Sequence, residues 1–191
     1  MPILTDMMST AVAKNPLILA GVLSALCVAL GYLFLMIPNV EMITAAVFIS
    51  GAIMGPAYGA LIGAVSEGVY SLFNPYGAPA PPLLIAQVGV FALIGCCGGW
   101  AARLRLRSMW LKAVVYGSCG LLLTLLFDLL TTLSFSLILS GYDLQKSLAF
   151  FVTGMPFYLV HSGVNLIIFA ATVPWVITRL QSTPIMRGNV A

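Results

Sequence analysis

Four nearly uninterrupted apolar runs, residues 16–37, 83–102, 113–139 and 156–178, constrain this chain more than any other feature. Each is long enough to cross a bilayer, which takes about 20 apolar residues in a helix. Charge is correspondingly scarce: the 191 residues include 8 Lys+Arg and 5 Asp+Glu, 7% charged in all, against roughly 25% in an ordinary globular domain. So few charges cannot cover a water-facing surface, which excludes a water-soluble enzyme. Disorder is excluded as well, because 61% of the chain is apolar and disordered segments are poor in such residues. The expected product is an all-α membrane protein forming one compact domain. The net charge of +3 is no nucleic-acid signal, because the few positives flank the apolar runs.

The first run is too long for a signal-peptide core and lacks a small-x-small cleavage site, so it is read as a retained helix. Cys27 follows Leu26, where a lipoprotein would carry a small residue. Cys27, Cys96, Cys97 and Cys119 all lie within apolar runs without metal-ligand spacing, and read as small packing residues.

Residues 42–73 are too long for one ordinary span and short for two. Gly55-Pro56 breaks the stretch near its middle, since proline disfavours helix at the residue before it and cannot donate to the preceding turn. Charge selects between one span and a hairpin through the cytoplasmic bias of Lys and Arg in short loops. A hairpin places Lys14, Arg103, Arg105, Arg107, Lys112, Arg179 and Arg187 on one side and only Lys146 on the other. The expectation is therefore six transmembrane helices with both termini cytoplasmic; a re-entrant loop over 42–73 would keep the same parity. Residues 1–15 form a cytoplasmic N-terminal segment, 16–180 the membrane domain and 181–191 a cytoplasmic tail. The protein is expected in the cell (inner) membrane. Connections at 38–41, 74–82 and 140–147 face outward, the second stiffened by prolines 75, 79, 81 and 82. Tyr32, Tyr58, Trp100, Trp110, Tyr142 and Trp175 fall near helix ends, as interfacial aromatics do.

Small residues recur every four positions at Gly21, Ala25 and Ala29, at Gly55, Gly59 and Gly63, and at Gly95 and Gly99. Such stripes let helices approach closely in lipid. Internal packing accounts for the glycine stripes; the first stripe is either internal packing or a face for a partner.

Charged side chains at membrane depth are costly and mark function. Glu67, Gln87, Thr132 and His161 fall in the outer half of the bilayer at about 1.5 Å of rise per residue, with Asp128 and Asn165 nearer its middle. Together with Glu41, Tyr70, Asn74 and Tyr76 they suggest a polar cavity opening outward, with aromatic stacking area. The alternative is that these groups only satisfy one another inside the bundle. One of Thr131 and Thr132 is expected to bond its own helix. No nucleophile elbow, zinc-protease motif or P-loop is present, so neither catalysis nor ATP use by the chain is expected. No metal or cofactor is expected.

Ala25-Leu-Cys-Val-Ala29, Asn39-Val-Glu-Met-Ile-Thr44, Asn74-Pro-Tyr-Gly77, Asp128-Leu-Leu-Thr-Thr132 and Gly154-Met-Pro-Phe-Tyr-Leu-Val-His161 through Asn165 occur in a familiar order. In this order the chain, over residues 14–180, resembles the S component of energy-coupling factor (ECF) transporters. The resemblance implies an ECF S-component-like bundle that binds a vitamin or related micronutrient near its outer face. It also implies that Gly21, Ala25 and Ala29 dock onto a transmembrane coupling subunit carrying two ATPase subunits. Two other readings stand beside it: a non-transporting membrane scaffold, and a solitary transporter that needs no docking stripe.

Overall fold

The computed structural model describes residues 15–104, 106–141 and 143–181, which form helices and their connections with no strand among them. Six helices follow one another: α1 (Pro16–Phe34), α2 (Ile43–Met54), α3 (Pro56–Leu72), α4 (Pro81–Ala101), α5 (Met109–Leu139) and α6 (Leu144–Gln181). Their starts are locally encoded. Asn15 caps α1 by accepting from the Leu17 amide, and Ser108 caps α5 by accepting from the Leu111 amide. Pro16, Pro56 and Pro81 open α1, α3 and α4, where the missing N–H has no intrahelical partner to lose.

Helices α1, α4, α5 and α6 are long and apolar enough to cross a membrane. The 12 residues of α2 rise only about 18 Å, short of a hydrocarbon core of about 30 Å. Instead α2 and α3 fold back on each other at Gly55, whose φ of 88° suits glycine and few other residues. The break expected at Gly55-Pro56 is thus a sharp helical turn. Gly51, Gly59, Gly63 and Gly95 then lie at a seam where α3 packs on α4 and α2 crosses both. A Cβ at Gly59 would collide with backbone of Gly51 and Gly95, and one at Gly63 with backbone of Phe91. These glycines are internal packing, as the stripes suggested.

Helices α5 and α6 run antiparallel in close register. Lys112 Nζ donates to Thr178 Oγ1 at 2.8 Å near one end, and Ser140 pairs with Ser147 at 2.9 Å near the other. Phe48 of α2 packs edge-on against Tyr116 of α5 and Phe169 of α6, at the centre of the apolar core. Leu33, Ile85, Leu122, Val152 and Ile167 are exposed around the bundle, a surface suited to lipid rather than water.

The last helix departs from the expected run. It begins at Leu144 rather than at 156 and continues through Pro156 and Pro174, so the final connection is shorter than 140–147. A proline removes one hydrogen bond from such a helix, but neighbouring groups in a packed bundle can satisfy the freed carbonyl. Lys14, Arg105, Tyr142 and Arg187, together with 1–14 and 182–191, lie outside the described residues.

Candidate binding cavity

The hairpin of α2 and α3 brings the start of α2 beside the ends of α1 and α3 and the start of α4. At this end of the bundle, against α5 and α6, lies a cavity of about 240 Å³. Its wall includes Glu41, Glu67, Tyr70, Gln87, Phe91, Thr124, Phe127 and His161, with the loop over 35–42 closing one side. In that loop Asn39 adopts a left-handed φ of 59°, a conformation asparagine tolerates better than most residues, and the turn leads directly into Glu41.

Glu41 joins three elements. One carboxylate oxygen accepts from the Thr44 amide at the start of α2, at 2.9 Å. The other accepts from Asn165 Nδ2 of α6 at 2.8 Å and lies 3.6 Å from His161 Nε2. Burial pushes this carboxyl upward, but the neighbouring His161 and the Thr44 amide outweigh it and hold Glu41 below its ordinary value. The other ring nitrogen of His161 meets Asp128 Oδ1 of α5 at 2.8 Å. An imidazole between two carboxylates can donate to both only in its protonated form. Phe127 packs edge-on to the same ring at 6.2 Å, fixing its plane between α5 and α6.

A second polar group closes the α3–α4 side. Ser71 Oγ donates to Glu67 Oε1 at 2.7 Å and lies 3.3 Å from Gln87 Oε1. Beside it Tyr70 packs on Tyr32 with ring centroids 5.2 Å apart. Three buried side-chain atoms lack a partner among the described residues: Thr124 Oγ1, Asp128 Oδ2 and Asn165 Oδ1. Buried polar atoms are rarely left so. Among the described residues no group of three His, Cys, Asp or Glu side chains is placed to hold a metal ion.

Of the residues expected at the site, Glu41, Glu67, Tyr70, Gln87 and His161 line the cavity. Asp128 and Asn165 are buried behind the wall, in contact with His161 and Glu41. Thr132 pairs with the Tyr158 hydroxyl at 2.7 Å, away from the lining, while Thr131 bonds the Phe127 carbonyl of its own helix. Asn74 and Tyr76 do not reach the cavity. Asn74 Oδ1 accepts from the Tyr76 amide, an Asx turn, and Tyr76 is 74% exposed. Ser71, Thr124, Phe91 and Phe127 were not anticipated. Ser71 stands four residues after Glu67, and Thr124 four before Asp128, so helical spacing from each acid pointed to them. Gly21, Ala25 and Ala29 lie on the exposed face of α1, and a Cβ at Gly21 would meet nothing within 4 Å.

Four helices long and apolar enough to cross a membrane make this a multi-pass membrane protein. No curated protein and no solved structure gives a significant match. The family described as ECF transporter, substrate-specific component, matches residues 15–181. With that match over nearly all of the described chain, the protein belongs to the family of ECF transporter substrate-specific components.

Proposed function

We propose that this chain captures a small polar micronutrient, of the vitamin class, from the outer face of the cell (inner) membrane and hands it to an ATP-driven coupling module. The observation that carries this reading is the cavity lined by Glu41, Glu67, Gln87 and His161. Members of the family are substrate-binding transport subunits rather than enzymes, and their energy comes from partners. In this reading the chain crosses the membrane six times with both termini cytoplasmic, α2 and α3 being the short pair. The exposed face of Gly21, Ala25 and Ala29 docks a transmembrane coupling subunit bearing two ATPases, because small side chains let a facing helix approach closely. A scaffold would have its polar groups satisfy one another. The open cavity favours binding instead.

The test is mass spectrometry of small molecules released from the protein purified out of cells grown in rich medium. A compound released in near-equal amount to the protein is expected. Failure to release any compound, combined with unchanged uptake of vitamins when the chain is deleted, would overturn the reading in favour of a scaffold.

A further inference from the structure

The charge around the cavity is one-sided. Glu41 and Glu67 face it and Asp128 stands behind, whereas His161 is the sole basic side chain in the lining. His161 is already engaged, 2.8 Å from Asp128 and 3.6 Å from Glu41. Glu67 has no cationic partner among the described residues. Ser71 occupies one of its oxygens at 2.7 Å, and no donor on a described residue reaches the other. A buried carboxylate in this position is costly unless something pairs with it.

Behind the wall, Asp128 Oδ2 and Asn165 Oδ1 are buried acceptors with no donor among the described residues, so they add to the acidic, acceptor-rich character of this side. An anionic ligand would need free cationic donors such as arginine, and the basic side chain in the lining, His161, is already taken up by Asp128 and Glu41. Aromatic side chains complete it: Tyr70, Phe91 and Phe127 line the wall, and aromatic rings attract cations. At about 240 Å³ the space lies just below the roughly 300–1,000 Å³ of ordinary ligand pockets, which limits it to a small ligand.

Building on the binding role proposed above, we propose that the ligand is a small, flat, positively charged nitrogen compound, of the amidine or amino-heterocycle class. Its charged N–H group meets the free oxygen of Glu67 and its ring lies against the aromatic wall. Glu67 is then the residue that sets charge specificity, and Glu41 is retained by Asn165 and His161.

Three probes of one shape and different charge test this: benzamidinium, benzamide and benzoate. Each is titrated by calorimetry into the full chain in nanodiscs after co-purified molecules have been dialysed away. Benzamidinium is expected to bind at least about tenfold tighter than benzamide, about 1.4 kcal/mol, with benzoate weakest. Glu67→Gln keeps the shape and the Ser71 hydrogen bond while removing the charge. It is expected to weaken benzamidinium about tenfold and to change benzamide far less. Because both probes are compared within one variant, a general loss of folding cannot imitate this result. Equal or better binding of benzamide or benzoate overturns the charge class and leaves the binding role standing. Binding of none of the three at millimolar concentration also overturns the charge class; the binding role is then decided separately by the released compound.

Discussion

Glu41 and Asn165, 124 positions apart in the chain, are joined by a 2.8 Å hydrogen bond that ties the loop over 35–42 to the middle of α6. Because Glu41 also accepts from Thr44 at 2.9 Å, one carboxylate couples this loop, the start of α2 and the wall of the cavity. Hydrogen bonds to charged groups contribute about 1.5–3 kcal/mol. Asn165→Ala is therefore expected to raise hydrogen–deuterium exchange across 36–42 while leaving the α3–α4 seam protected. Unchanged exchange in the loop would mean that Thr44 and the surrounding packing hold it without α6.

Asp128 and His161 form a contact whose side chains are 11% and 15% exposed. Breaking a buried ion pair by removing one partner costs about 3–5 kcal/mol, since the other charge is left buried. Asp128→Ala and His161→Ala should each lower the melting temperature in detergent. The double variant should lose clearly less than the sum of the two, as coupled residues do. Additive losses would show that the two side chains stabilise the bundle independently.

The glycine seam predicts a sharp contrast between positions. A Cβ at Gly95 would strike backbone of Gly59, whereas one at Gly21 meets nothing within 4 Å. Gly95→Ala is expected to destabilise by about 1–3 kcal/mol or more, the usual cost of overpacking. Gly21→Ala should leave thermal unfolding unchanged. Equal effects at the two sites would contradict the close approach of α3 and α4.

The docking face proposed for α1 can be separated from the fold in the same way. Ala25 and Ala29 are exposed, and leucine is favourable against lipid. Ala25→Leu combined with Ala29→Leu should leave insertion and ligand release unaltered but abolish co-purification with the coupling subunit. Uptake that survives the double variant would point to a transporter working alone; loss of folding would mean that the face is internal.

The proposed orientation rests on Lys and Arg and is tested by cysteine labelling in a background lacking the four native cysteines. Ala78→Cys, between α3 and α4, should react with a membrane-impermeant reagent in intact cells. Met109→Cys, at the start of α5 and 50% exposed, should react only after the membrane is opened. Labelling of Met109→Cys in sealed cells would overturn the cytoplasmic placement of 103–112.

What the sequence by itself determined is local. Long apolar runs, scarce charge and the Gly55-Pro56 break act within a few residues, so they are legible without coordinates. Membrane-depth polarity singled out Glu67, Gln87 and His161 for a related reason: lipid penalises a lone polar group wherever the bundle places it. Tertiary structure decided the rest. Asn74 and Tyr76 looked equally apt in sequence, yet their turn closes on itself and leaves Tyr76 in the open. Thr124, unremarkable in a membrane helix, reaches the cavity, and Ser71 reaches the Glu67 that lines it, because the hairpin at Gly55 and the glycine seam set how the helices face one another. Helix α6 runs through Pro156 because its packing against α5 offsets a local preference to break. Hydropathy and caps act along one helix, whereas a site shared by six helices depends on their relative rotation, which close packing between helices sets.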